Sequence, residues 1–164
     1  MTSLVSAIPH RRLSQLGCCV AIFLAIFAAR PAVAAEDGFA GLTAQWAVAW
    51  GAADLDAVMS LYAADPVFQP TSTERWTGAD TIRQHFAAAL SKYRGELHMH
   101  SQRVAASGDL AIDSGTYDET VKPVSGKGKP KNLHGGYLFV FQRAAGGDWK
   151  ILEQVWTEYG AERL

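Results

Sequence analysis

Cysteine is all but missing. The 164-residue chain has two, Cys18 and Cys19, side by side near its start, so no disulfide framework can be read from it. Acid is missing altogether before Glu36, and no apolar run approaches the ~20 residues that a membrane helix needs. The longest, Cys18 to Ala29, follows Arg11 and Arg12 and precedes the small residues of "RPAVAA" (30–35). A basic start, a short apolar run and an A-x-A-like end form the pattern of a secretory signal peptide. Residues 1–35 are therefore expected to be a signal, cut after Ala34 or Ala35, and residues 36–164 the mature domain. The expected location is periplasmic or secreted, with no membrane segment after cleavage. Both cysteines leave with the signal, so the mature domain can use neither a disulfide nor thiol catalysis.

Basic charge is also scarce. Removing Arg11, Arg12 and Arg30 from the 15 basic residues leaves 12 against 16 acidic ones, a net charge of −4. Nucleic acid is an unsuitable partner for such a domain, because its binders present basic patches. The one cationic cluster, "GKGKPK" (126–131), has the glycine and proline content of a solvated hairpin loop.

What is present is periodicity. Residues 39–52 place Phe39, Leu42, Trp46 and Ala49/Trp50 on one helical stripe. Residues 53–65 begin with a capping Asp54 and repeat Leu55, Val58/Met59 and Tyr62, a second helix that Pro66 stops. A short strand follows, Pro66 to Pro70, and a polar turn through Thr71–Glu74. The third helix, 77–95, carries Ile82, Phe86, Ala89/Leu90 and Tyr93, with Asp80 as its cap and Gly95 as its stop. From Glu96 the period becomes two, giving strands at 96–107, 110–123, 131–143 and 148–159. Helices followed by long strands at hairpin spacing make an α+β domain with an antiparallel sheet.

The stretches "GAADLDAVMSLYAAD", "WTGADTIRQHF", "SGDLAIDSGTY" and "GGYLFVFQRAAGGDWKILEQVWTE" resemble, in this order, the nuclear transport factor 2-like superfamily over residues 39–159. The likeness is greatest to its SnoaL-like and ketosteroid isomerase-like branch, and within that to a subgroup without an assigned function. The resemblance implies three N-terminal helices packed on a curved antiparallel sheet to form a conical pocket, a cystatin-like α+β roll. It implies no cofactor, and a homodimer formed through the convex sheet face. Family members include isomerases, cyclases, dehydratases and hydrolases as well as plain binding modules. The ketosteroid isomerase pattern would put a base at Pro70 and oxyanion donors at Trp46 and Tyr137. Proline cannot move a proton, so that mechanism does not carry over, while Tyr137 stays a suitable donor.

The expected catalytic residues are His85, Tyr137 and Asp118. His85 precedes Phe86 in the third helix, where the resemblance turns a side chain into the pocket, and imidazole suits proton transfer near neutral pH. The plainer reading is an inert histidine at the core's edge. Ile112, Ser114, Thr116 and Asp118 share one face of their strand; Asp113, Tyr117 and Glu119 take the other. Leu152, Gln154, Trp156 and Glu158 are expected to face the pocket, leaving Trp149, Ile151 and Val155 outside. The ligand-binding wall is expected from Trp46, Trp50, Tyr62, Phe68, Phe86, Gln154 and Trp156, which suits a small apolar or cyclic ligand. "HMH" (98–100) alternates with Leu97 and Met99, which claim the inward face, so no metal site is expected there. The glycines of "LHGGYLF" are expected to allow a bulge. Two functions follow: an exported small-molecule-binding domain that is an isomerase, cyclase or lyase using His85, or a non-catalytic homodimeric module with a residual cavity.

Overall fold

The computed structural model describes residues 38–71 and 74–159; the expected signal at 1–35 lies outside the described residues. The first helix, α1 (Leu42–Gly51), buries Leu42, Thr43, Trp46 and Ala49. Helix α2 (Leu55–Ser60) is short, and Asp54 caps it by accepting from the Ala57 amide at 2.9 Å. It ends earlier than its apolar pattern suggests because the chain is claimed by a strand. The Ile151 amide donates to the Leu61 carbonyl at 2.8 Å, and β1 (Tyr62–Gln69) runs from there through Pro66. Tyr62 is thus a strand residue rather than the end of a helical stripe. A two-residue strand, β2 (Trp76–Thr77), closes against it.

Helix α3 (Ala79–Lys92) starts at Gly78, whose φ of 87° suits glycine, and carries Asp80 in its first turn. Asp80 makes no cap hydrogen bond there, though a carboxylate in the first turn complements the helix dipole. Gly95 does not stop this helix; it lies inside β3 (Tyr93–Ser107). A Cβ there would collide with the carboxylate of Glu119, so glycine is what lets that side chain lie across the strand. Strands β4 (Leu110–Pro123), β5 (Lys131–Arg143) and β6 (Trp149–Glu158) follow close to their expected bounds.

The six strands form one sheet in the order β2-β1-β6-β5-β4-β3. All pairings are antiparallel except β1 with β6, which run parallel. Irregularities between Ser101 and Arg103 in β3 and at Val140/Phe141 against β6 bend the ladder. The second one decides which side chains β6 buries. Val140 pairs with Glu153 and Phe141 with Ile151, so Leu152 is the extra residue. The alternation shifts there, and Trp149 and Ile151 turn inward beside Gln154, all three nearly inaccessible. This corrects the outward placement of Trp149 and Ile151. Gly135 and Gly136 pair regularly with Glu158 and Thr157, with no bulge. Gly135 instead makes room for the Thr157 backbone carbonyl and for the Tyr117 ring, whose edge would lie 2.7 Å from an added Cβ.

Candidate functional site

The helices cover the sheet face that carries Tyr117, Tyr137, Phe139, Phe141 and Gln154. Between them the space is filled by rings. Trp46 from α1 stacks on Trp50 at 5.4 Å and meets Phe139 at 5.8 Å and Trp156 at 5.6 Å. Phe86 from α3 stands edge-on to Trp50 at 5.3 Å and to Phe68 at 5.2 Å. A polar thread runs through this packing. The Trp46 indole N–H donates to the Tyr62 hydroxyl at 3.1 Å, and that hydroxyl donates to Gln154 Oε1. Burial holds the Tyr62 pKa above its ordinary value, so the phenol stays a neutral donor. All seven expected wall residues, Trp46, Trp50, Tyr62, Phe68, Phe86, Gln154 and Trp156, therefore come together, but they pack on one another.

The open space lies to one side, between α1 and the β3–β4 region of the sheet. It is a groove of about 510 Å³. Ala44, Ala47 and Val48 form its helix wall, and Leu97, Met99 and Val104 its strand wall. Polar atoms converge at its floor. Asp113 Oδ1 accepts from the Ser101 hydroxyl at 2.5 Å and from the Tyr137 hydroxyl at 3.2 Å. Thr43 also lines the groove, and its buried Oγ1 has no partner among the described residues. The Tyr137 pKa is pushed up to about 12, first by burial and then by the negative charge of Asp113. Tyr137 is the one expected catalytic residue that reaches this groove.

The other two do not. His85 is exposed and stacks flat on Trp76 at 3.9 Å, away from the groove lining. Asp118 is on the outer sheet face, between His100 Nε2 at 3.2 Å and His134 Nδ1 at 3.1 Å. Its place is taken by Asp113, because the face of β4 that meets the helices is the one carrying Ala111, Asp113 and Tyr117, all buried. The assignment of faces on β4 is corrected accordingly. The signal for it was Tyr117: a large ring between two carboxylates marks the buried side better than Ile112 among small polar residues. Ser101 and Thr43 carried no sequence signal, since isolated hydroxyls on a strand and a helix are ordinary. His98 and His100 face outward as their alternation with Leu97 and Met99 indicated, and among the described residues no three such side chains gather to hold a metal ion.

At the far side of the aromatic packing, Glu119 accepts from the Trp50 indole N–H at 3.0 Å. Burial raises its pKa, and the indole bond lowers it in part. Tyr117 beside it is pushed up to about 12 by burial and by the charges of Glu158 and Glu119.

A profile of the SnoaL-like domain family matches residues 43–157. No curated protein matches the chain. A ketosteroid isomerase-like protein from Erwinia carotovora atroseptica superposes with a TM-score of 0.67 at 17% identity, over 73% of this chain and 92% of its own. A candidate calcium/calmodulin-dependent protein kinase II association domain from Xanthomonas campestris gives 0.61 at 26% identity, over 74% and 86%. A candidate dehydratase of the NTF2-like family from Streptomyces avermitilis gives 0.65 at 16% identity, over 79% and 99%. These likenesses establish the fold.

Proposed function

The chain belongs to the SnoaL-like domain family, within the nuclear transport factor 2-like superfamily, and on that premise we propose that it is an exported domain that binds a small, largely apolar molecule in the groove between α1 and the β3–β4 region. The observation that carries this reading is the groove itself: apolar walls with the Asp113 carboxylate and the Tyr137 hydroxyl meeting at its floor. That is the usual makeup of a small-molecule site, where a few polar groups orient an apolar body. Export is supported by the charge and apolar pattern of residues 1–35. His85 has no part in this groove, so the proposal is one of binding and assigns it no proton transfer.

The test is ligand-dependent thermal stabilisation across a panel of apolar and cyclic compounds. It compares wild type with Ala47→Trp, which fills the groove, and with His85→Ala. Stabilisation of wild type and His85→Ala but not of Ala47→Trp is expected. No stabilisation of wild type, or equal stabilisation of all three, overturns the reading.

One observation favours a second function. The family's conical cavity is closed here by Trp46, Trp50, Phe86 and Trp156, as suits an interaction module whose cavity is residual. Such a module would pair through the outer sheet face, where Ile112, Leu138, Val140 and Val155 are adjacent and half-buried.

A further inference from the structure

The floor of the groove holds a carboxylate that is only half used. Both of Asp113's hydrogen bonds, from Ser101 and from Tyr137, fall on the same oxygen, Oδ1. Oδ2 receives no donor among the described residues, and it is not among the sealed, unpartnered atoms of the interior. An oxygen that is neither bonded nor sealed opens onto the groove that Asp113 lines. No lysine or arginine belongs to that lining. Its two histidines are engaged elsewhere, His98 toward Glu96 at 3.6 Å and His100 toward Asp118. A mostly buried carboxylate with no cation beside it is costly unless something supplies the opposite charge.

The chemistry of the lining points the same way. An unpaired anionic oxygen suits a group with several N–H donors and a positive charge. Alanine, valine, leucine and methionine walls suit an apolar body attached to it.

We infer that the ligand of this groove is an amphipathic amine, its ammonium group placed against Asp113 Oδ2 and its hydrocarbon part along α1. The inference rests on the groove being a ligand site. Ser101 and Tyr137 are positioning residues: by occupying Oδ1 they fix the carboxylate so that Oδ2 faces the entering group. A carboxylate ligand would meet like charge at the floor, and an alcohol would form a weaker bond than an ammonium does.

The experiment measures binding of cyclohexylammonium, cyclohexanol and cyclohexanecarboxylate by calorimetry and by amide chemical shifts, with wild type, Asp113→Asn, Tyr137→Phe and Ala47→Trp. For wild type the amine is expected to bind about tenfold tighter than the alcohol, as an ion-assisted bond exceeds a neutral one. The carboxylate should be the weakest, and the shifts should be confined to residues 43–48 and 97–104. Asp113→Asn keeps the side chain's shape and should bring the amine-to-alcohol ratio close to one. Tyr137→Phe, which frees the carboxylate to turn, should lower the ratio. An alcohol that binds as well as the amine, at a site blocked by Ala47→Trp, overturns the amine inference and leaves the binding reading standing. An unchanged ratio in Asp113→Asn also overturns it. Absence of binding by all three compounds, with wild type and Ala47→Trp alike, overturns both.

Discussion

Replacing Tyr62 by phenylalanine deletes one oxygen from the middle of a buried chain. In the native protein that hydroxyl accepts from the Trp46 indole N–H and donates to Gln154 Oε1. Without it the indole loses its acceptor and the amide oxygen its donor, in a site closed to water by the rings around it. Each orphaned group costs about 1–3 kcal/mol, set against a small gain from no longer burying the hydroxyl. The expected loss is about 2–4 kcal/mol, a large share of the ~5–15 kcal/mol that a domain of this size has. Urea unfolding followed by tryptophan fluorescence measures it, as a fall in midpoint of about 1–2 M if the slope is unchanged. The double variant Tyr62→Phe/Gln154→Leu supplies the sharper check. Gln154 Nε2 is already buried and without a partner among the described residues, so leucine removes that orphan together with the stranded Oε1. The double variant should therefore be more stable than Tyr62→Phe alone, since apolar replacement of both partners is far milder than stranding one. A Tyr62→Phe loss under about 0.5 kcal/mol, the range of an ordinary surface change, would refute the reasoning. So would strictly additive effects of the two substitutions.

Three tyrosines also predict an alkaline limit to stability. Tyr62, Tyr117 and Tyr137 all have pKa values raised from 10.0 by burial, the last two to about 12. A phenol whose folded pKa is raised contributes stability that is complete below pH ~10 and is lost as the pH climbs toward its folded value. Stability should fall above pH 10, by about 1.4 kcal/mol per pH unit for each of these tyrosines, and Tyr137→Phe should make the fall shallower. A melting temperature flat from pH 9 to 11 would count against it. Sedimentation equilibrium tests the pairing surface: the wild type is expected to be a dimer and Leu138→Lys, at the centre of the half-buried outer patch, a monomer with the same helical content. A monomeric wild type, or a dimeric Leu138→Lys, removes that surface from consideration.

Most of the architecture was legible because period and punctuation agreed. Trp46 and Phe86 each point to one element and one side, and the long alternating runs of β3 to β6 each point to one element. The failures occurred where two local rules competed. Tyr62 continues a helical stripe and also begins a strand, and pairing with β6, nearly ninety residues later in the chain, decided between them; no local pattern contains that information. On β4 both faces mix apolar and acidic residues, so Asp118 and Asp113 could not be ranked by alternation alone. On β6 a single extra residue, Leu152, reverses the facing of Trp149 and Ile151. The candidate site was half legible for the same reason. Of its apolar walls only Leu97 and Met99 follow from periodicity, and Tyr137 came from the family resemblance, whereas Asp113 and Ser101 meet only after the register of β3 and β4 is set.

The parallel pairing of β1 with β6 also governs the order in which the molecule can be assembled. Tyr62 lies opposite Ile151, and Phe68 opposite Gln154, so the first strand to be synthesised is completed by the last. Until residues 149–158 arrive, Tyr62 lacks its acceptor, Trp46 lacks a wall and the edge of β1 is unpaired. Contacts of such sequence separation are slow to form, because a long loop must close before they return any energy. A nascent chain is thereby held short of its final state until synthesis is nearly finished. That delay keeps the chain open to unproductive pairing at the β1 edge for longer.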